Sequence, residues 1–200
     1  MNLKKIFIAG TLFTILLGIL LHFTYDLSGN SDFVAILSAV NESTWEHLKL
    51  IYFPMVIFSV IEYFLYGKNF PNFFAAKLVG IISGMAFITI VFYTYSGVIG
   101  TPAGIFNILL FLSGVIVAYM VNYKILTENY LTSSLLNNVS IFALAVLFIM
   151  FWVFTFYPPV FNIFKDPVTD GYGIWFFYCF FLQICGIIHV HKFVEGWLYE

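Results

Sequence analysis

The chain has 200 residues, 62% of them hydrophobic and 9% charged, with a mean hydropathy of +0.99 and a formal net charge of −2. A soluble domain needs a coat of about 25% charged residues, so this composition excludes an ordinary soluble fold and makes lipid the solvent. All eight basic residues are lysines, and without arginine forks or a basic surplus a nucleic-acid partner is excluded as well.

Six apolar stretches are each about 20 residues long, the length that crosses a bilayer core as a helix. The expected fold is all-α: one polytopic membrane domain over 1–200, with spans near 5–26, 47–66, 75–96, 102–122, 139–157 and 174–194. The first stretch follows Lys4 and Lys5 and mimics a signal peptide, but His22-Phe-Thr-Tyr-Asp26 offers no small-residue cleavage site. It reads as an uncleaved first helix.

Ser28-Gly29-Asn30 stops that helix. The 28–46 connection is the longest on its side, and its middle, Phe33 to Val40, is apolar but too short to span. It is expected either to dip back into the bundle, re-entrant, or to lie on it as a lid. Ser43-Thr-Trp-Glu46 has the form of a capping box, with Ser43 as N-cap and Glu46 reaching back to its amide. Within the second span, Pro54 cannot donate to the carbonyl of Leu50, which predicts a kink and a free acceptor.

Gly80-Ile-Ile-Ser-Gly84 and Gly114-Val-Ile-Val-Ala118 fit the small-xxx-small pattern of closely packed membrane helices, read here as packing within the chain. Thr101-Pro102 starts the fourth span, with proline at the first helical position. Pro158-Pro159 ends the fifth, and Thr169-Asp-Gly-Tyr-Gly173 is a turn cluster before the sixth. Cys179 and Cys185 lie on different faces of that last span and read as packing residues.

Lysine placement sets the expected orientation. With the N-terminus inside, Lys4, Lys5, Lys68, Lys77, Lys124 and Lys192 fall on the inner side, and Lys49 and Lys165 on the outer. The excess is the positive-inside pattern, and an even number of spans returns the C-terminus to the cytoplasm.

Ionisable groups in or near a membrane are expensive, which makes each a functional candidate. His22 and Asp26 share a face at the outer end of the first span. Asn41, Glu42, Ser43, Glu46, His47 and Lys49 crowd the start of the second. Two imidazoles with carboxylates suit zinc or another divalent cation, with His22, Asp26, Glu46 and His47 as the metal set. The same groups suit a pocket for a small polar solute, or, more plainly, helix caps and a Glu46–Lys49 ion pair. Glu62 lies 15 positions beyond His47, roughly 22 Å along the helix, and on the same side as His47 and Pro54. It is expected either to line a wet cavity or to reach the interface and pair with Lys77. His189, His191, Lys192 and Glu195 form an inner cluster that reads first as a solvated helix end.

The run Asn41-Glu-Ser-Thr-Trp-Glu-His-Leu-Lys49, with His22 to Asp26 before it and Pro54 and Glu62 after, resembles a family of small prokaryotic membrane proteins. That resemblance covers the whole chain and implies a helical bundle in a prokaryotic cytoplasmic membrane. It implies no reaction. Ser43-Thr-Trp-Glu-His47 also resembles the Ser-xxx-His of alkaline ceramidase-like hydrolases, although His189-Val-His191 departs from their second motif and six spans replace seven. In size and helix number the chain is similar to the substrate-binding subunits of energy-coupling uptake transporters.

These readings yield one leading expectation, binding or transport of a small solute or cation through an outer pocket of His22, Asp26, Asn41, Glu42, Ser43, Glu46 and His47, continued inward by Glu62. A metal-dependent hydrolase acting on lipid and a non-catalytic scaffold are the alternatives. The bilayer is the expected partner in all three.

Overall fold

The computed structural model describes residues 2–100 and 104–174. Among them the chain is all-helical: α1 (Leu3–Leu27), α2 (Asp32–Ala35), α3 (Thr44–Leu65), α4 (Phe73–Ile99), α5 (Gly104–Thr127) and α6 (Ser134–Phe156). Short 3-10 turns occupy Gly67–Asn69 and Asn162–Phe164. All but α2 are long and apolar enough to cross a membrane. The expected sixth span, with Cys179, Cys185 and the inner cluster His189, His191, Lys192 and Glu195, falls outside the described residues, as does the Thr101-Pro102 helix start.

The middle of α1 turns its bulk outward and its small residues inward. On α1, Gly10, Thr14 and Gly18 are buried while Ile8, Leu12, Leu16 and Leu20 are exposed. That inverts the soluble pattern, because the exposed face of such a helix meets hydrocarbon and association depends on close backbone approach. α3 is the central element. Over half of its apolar stretch is buried, against 17% to 39% in the other long helices, and it packs on α1, α4, α5 and α6.

The carbonyl that Pro54 leaves free is covered. A Cβ built on Gly18 would stand 2.6 Å from the Leu50 oxygen, so α1 can press its backbone on that acceptor only because position 18 has no side chain. The helix runs unbroken through Pro54. The free acceptor expected at the proline is thus taken up in the contact between α1 and α3.

The two small-residue stripes face each other within the chain. A Cβ on Gly80 would lie 2.7 Å from the Ala118 oxygen, and one on Gly84 would lie 2.7 Å from both the Gly114 oxygen and Ile51 Cδ1. Gly84→Leu is therefore expected to lower stability by at least about 2 kcal/mol, since neither backbone nor the buried Ile51 has room to give. A melting midpoint in detergent equal to that of the unaltered protein would refute this packing.

Gly29 and Asn30, with φ of 71° and 63°, reverse the chain after α1, and the following segment folds back onto the bundle end. Ala35 and Ser38 are fully buried, whereas Phe33 is 78% exposed. Ser38 Oγ donates to the Leu21 carbonyl, accepts from Tyr25 N–H at 3.1 Å and lies 3.0 Å from Thr24 Oγ1. One hydroxyl thus pins the loop to the last turn of α1.

The capping of α3 differs from the box read in the sequence. Ser43 Oγ does accept from the Glu46 amide, at 3.4 Å. The Ser43 amide, however, donates to Asn41 Oδ1 at 2.9 Å, while the Glu46 carboxylate accepts from Val40 N–H at 3.1 Å. Asn41 has taken the place of Glu46 because Glu46 is drawn into the interior by a buried lysine.

Candidate cation site at the histidine end

Three elements bring three metal-competent side chains together. His22 comes from the end of α1, His47 from the first turn of α3, and Glu42 from the loop just ahead of the α3 cap. One ligand atom of each lies within 4.8 Å of the others. His47 Nε2 is 3.4 Å from Glu42 Oε2, His22 Nε2 is 3.9 Å from Glu42 Oε1, and the two rings are 5.1 Å apart. Zinc–ligand bonds of about 2.0–2.2 Å place tetrahedral donors roughly 3.3 Å apart, so small side-chain rotations close the set around an ion.

The hydrogen bonding orients the donors. His47 Nδ1 lies 2.9 Å from the Ser43 carbonyl, which can only accept. The proton is therefore on Nδ1, and in the neutral ring the Nε2 lone pair points at a carboxylate. Two such facing lone pairs repel unless a proton or a metal cation sits between them. A backbone carbonyl accepting from the distal N–H is also what commonly fixes the ring orientation of a metal-bound imidazole. His22 Nδ1 is buried and has no partner among the described residues. The side chains of His22, His47 and Glu42 are 30%, 31% and 49% exposed, so water retains access to open coordination positions.

The remaining predicted site residues stand elsewhere. Asp26 is exposed and outside the group. Asn41 ties the loop to the far segment by donating to the Gly173 carbonyl at 3.1 Å. Glu46 is 2% exposed and faces the opposite way: it pairs with Lys49 at 2.6 Å and accepts from Thr155 Oγ1 at 3.2 Å. Glu42, not Glu46 or Asp26, is the carboxylate that meets both histidines. Lys49 also donates to the carbonyls of Ala35 and Ser38 at 2.9 and 3.1 Å, so this buried ammonium holds the very loop that carries Glu42. Thr155 and Ser38 carried no sequence signal, since isolated hydroxyl residues are common in membrane helices and loops.

Glu62 lies at the other end of α3. Its carboxylate is fully buried, bound to Lys77 of α4 and to the Tyr66 hydroxyl at 2.7 Å. The Lys77 ammonium lies 5.4 Å from the rings of Phe7 and Tyr119 and 5.6 Å from Phe73, an aromatic cage that helps hold a cation away from water. Between the two buried pairs α3 is filled by Ile51, Phe53, Met55 and Phe58, while the hydroxyls of Tyr52 and Ser59 are bound to the Leu144 and Val56 carbonyls.

Beside the histidines lies a cavity of about 290 Å³. Glu42, Thr44 and His47 stand on its wall together with Leu50, and Ile88 and Phe92 of α4 and Leu110 and Phe111 of α5 complete an apolar interior. Pro167 and Val168 edge it from a strap built on the buried Asp166, which accepts from Val168 N–H at 2.9 Å and Thr169 Oγ1 at 2.7 Å. On the same strap the hydrogen bond to Asp170 raises Lys165 above its ordinary range.

A family model described as a family of unknown function (DUF6512) matches residues 1–174. The chain belongs to that family. The match takes in the three metal-competent residues, the cavity and both buried ion pairs. No curated protein and no solved structure matches the chain.

Proposed function

We propose that this is a six-span protein of a prokaryotic cytoplasmic membrane, both termini inside, which binds a divalent transition-metal cation at its outer surface through His22, Glu42 and His47. The observation that carries the reading is the orientation of two imidazole Nε2 atoms onto one carboxylate, with the His47 tautomer set by Ser43. Three protein donors and a wet side match a binding site with an open position rather than a closed structural one. Support for the orientation comes from the lysine bias and from the apolar stretch beyond residue 174. The packed middle of α3, whose two buried hydroxyls are bound to backbone carbonyls, favours binding at the outer site over a continuous polar route to Glu62. The hydrolase alternative loses one carboxylate as a candidate base, since Glu46 is occupied by Lys49 and Thr155.

Calorimetric titration of metal-free protein with zinc tests the reading. One ion per chain is expected, with affinity reduced more than about 100-fold in His47→Ala, since the loss of a ligand exceeds that of an outer-shell partner. Glu42→Gln should weaken binding strongly, and Asp26→Asn should not. Acidification should expel the ion, because protons compete for the imidazole nitrogens. Equal affinity in His47→Ala and the unaltered protein would overturn the assignment.

A further inference from the structure

The cavity beside the cation site has two unlike ends. Glu42, Thr44 and His47 supply polar groups on one side, and the interior beyond them is mostly Leu50, Ile88, Phe92, Leu110 and Phe111, with Asn107 its one polar side chain among the described residues, whose Oδ1 accepts from the Tyr95 hydroxyl. Its volume of about 290 Å³ is at the small end of the range for ligand sites, roughly 300–1,000 Å³. Such a site suits one hydrocarbon chain rather than a bulky or polar solute. Hydrophobic walls with a few convergent polar groups at one end fix both what enters and which way round it lies.

The charge at the polar end depends on the ion. Without it, the Glu42 carboxylate is the charged oxygen group at that end of the cavity and repels an anionic head. With a divalent cation bound, one positive charge is left after Glu42 is counted, and three protein donors leave a coordination position for an oxygen of the ligand. Glu42 and His47 belong both to the cation set and to the cavity wall, so a group on the metal and a chain in the cavity can be parts of one molecule.

We propose that the cavity binds a single-chain amphiphile whose anionic oxygen head, a carboxylate or a phosphate monoester, completes the coordination of the metal at His22, Glu42 and His47, with its hydrocarbon chain lying between α3, α4 and α5. This rests on the cation reading of the same site. The metal thereby acts as the switch for ligand entry, and a neutral head is refused.

Photolabelling of the whole protein in nanodiscs tests this with three probes that share one diazirine-bearing alkyl chain: a fatty acid, its methyl ester and an alkyl phosphate. With zinc present, the fatty acid or the alkyl phosphate should label residues in 88–92 and 104–111, and whichever does so identifies the head. Chelating the zinc should reduce that labelling at least tenfold, and the methyl ester should label these segments no more with zinc than without. Leu110→Trp, which fills the cavity, should abolish the labelling while zinc stoichiometry stays at one, and Leu110→Phe gives a milder filling should the tryptophan variant misfold. Zinc-independent labelling, equal labelling by the ester, or labelling unchanged by both fillings at full zinc occupancy would overturn the proposal while leaving the cation site standing. Failure of the unaltered protein to bind zinc would remove both.

Discussion

Replacing Lys77 by methionine is expected to lower stability by about 3–5 kcal/mol, because it leaves the fully buried Glu62 carboxylate with no opposite charge. The thermal midpoint in detergent should fall by roughly 10 °C. The Tyr66 hydroxyl still donates to Glu62 but cannot neutralise it. The double variant Glu62→Leu, Lys77→Met should recover at least half of the loss, since a buried pair replaced by apolar groups of similar volume is often close to neutral. Neither change should alter zinc affinity by more than about twofold, because the pair is far from the histidines along α3 and shares no partner with them. A single variant that melts like the unaltered protein would mean that Glu62 and Lys77 are not held together in the membrane.

Lys49→Met is expected to act differently, although it too breaks a buried pair on the same helix. Lys49 is fully buried and binds Glu46 together with the carbonyls of Ala35 and Ser38. Its removal strands the Glu46 carboxylate, at a similar cost of about 3–5 kcal/mol. It also releases two carbonyls of the loop that positions Glu42. Zinc affinity should therefore fall by about 10–100-fold, the range for loss of a group that supports metal ligands. The contrast between the two lysines is the informative result. Equal zinc affinity in Lys49→Met and Lys77→Met would show that the loop does not depend on Lys49.

The long helices were legible because each is a nearly uninterrupted apolar run, and lipid leaves such a run little choice but a helix. Their ends were less so. α6 begins at Ser134, five residues ahead of the expected start, since Asn137 is not a breaker there: its side-chain oxygen accepts from the Phe74 and Ala75 amides at 2.9 and 3.3 Å and caps α4. The pairing of Glu62 with Lys77 was one of two sequence readings, because both residues fall at the same depth on neighbouring helices. The arrangement of carboxylates at the histidine end was not legible. Asp26, Glu42 and Glu46 are equivalent in a linear reading, and only the folding of 28–43 decides among them. That folding depends on Ser38 against the Leu21 carbonyl and on Lys49 against two loop carbonyls, contacts that no periodicity encodes. The cavity was likewise invisible, since residues from α3, α4, α5 and the 167–168 strap meet there from distant parts of the chain.

X-ray absorption at the zinc edge of purified, zinc-loaded protein tests the cation site most directly. The expected spectrum has two imidazole nitrogens at about 2.0–2.1 Å and oxygen donors from a carboxylate and a solvent or ligand group, with the imidazole signal halved in His22→Ala. A zinc shell with no imidazole scattering, or one that keeps both imidazoles when His22 is gone, would contradict the assignment.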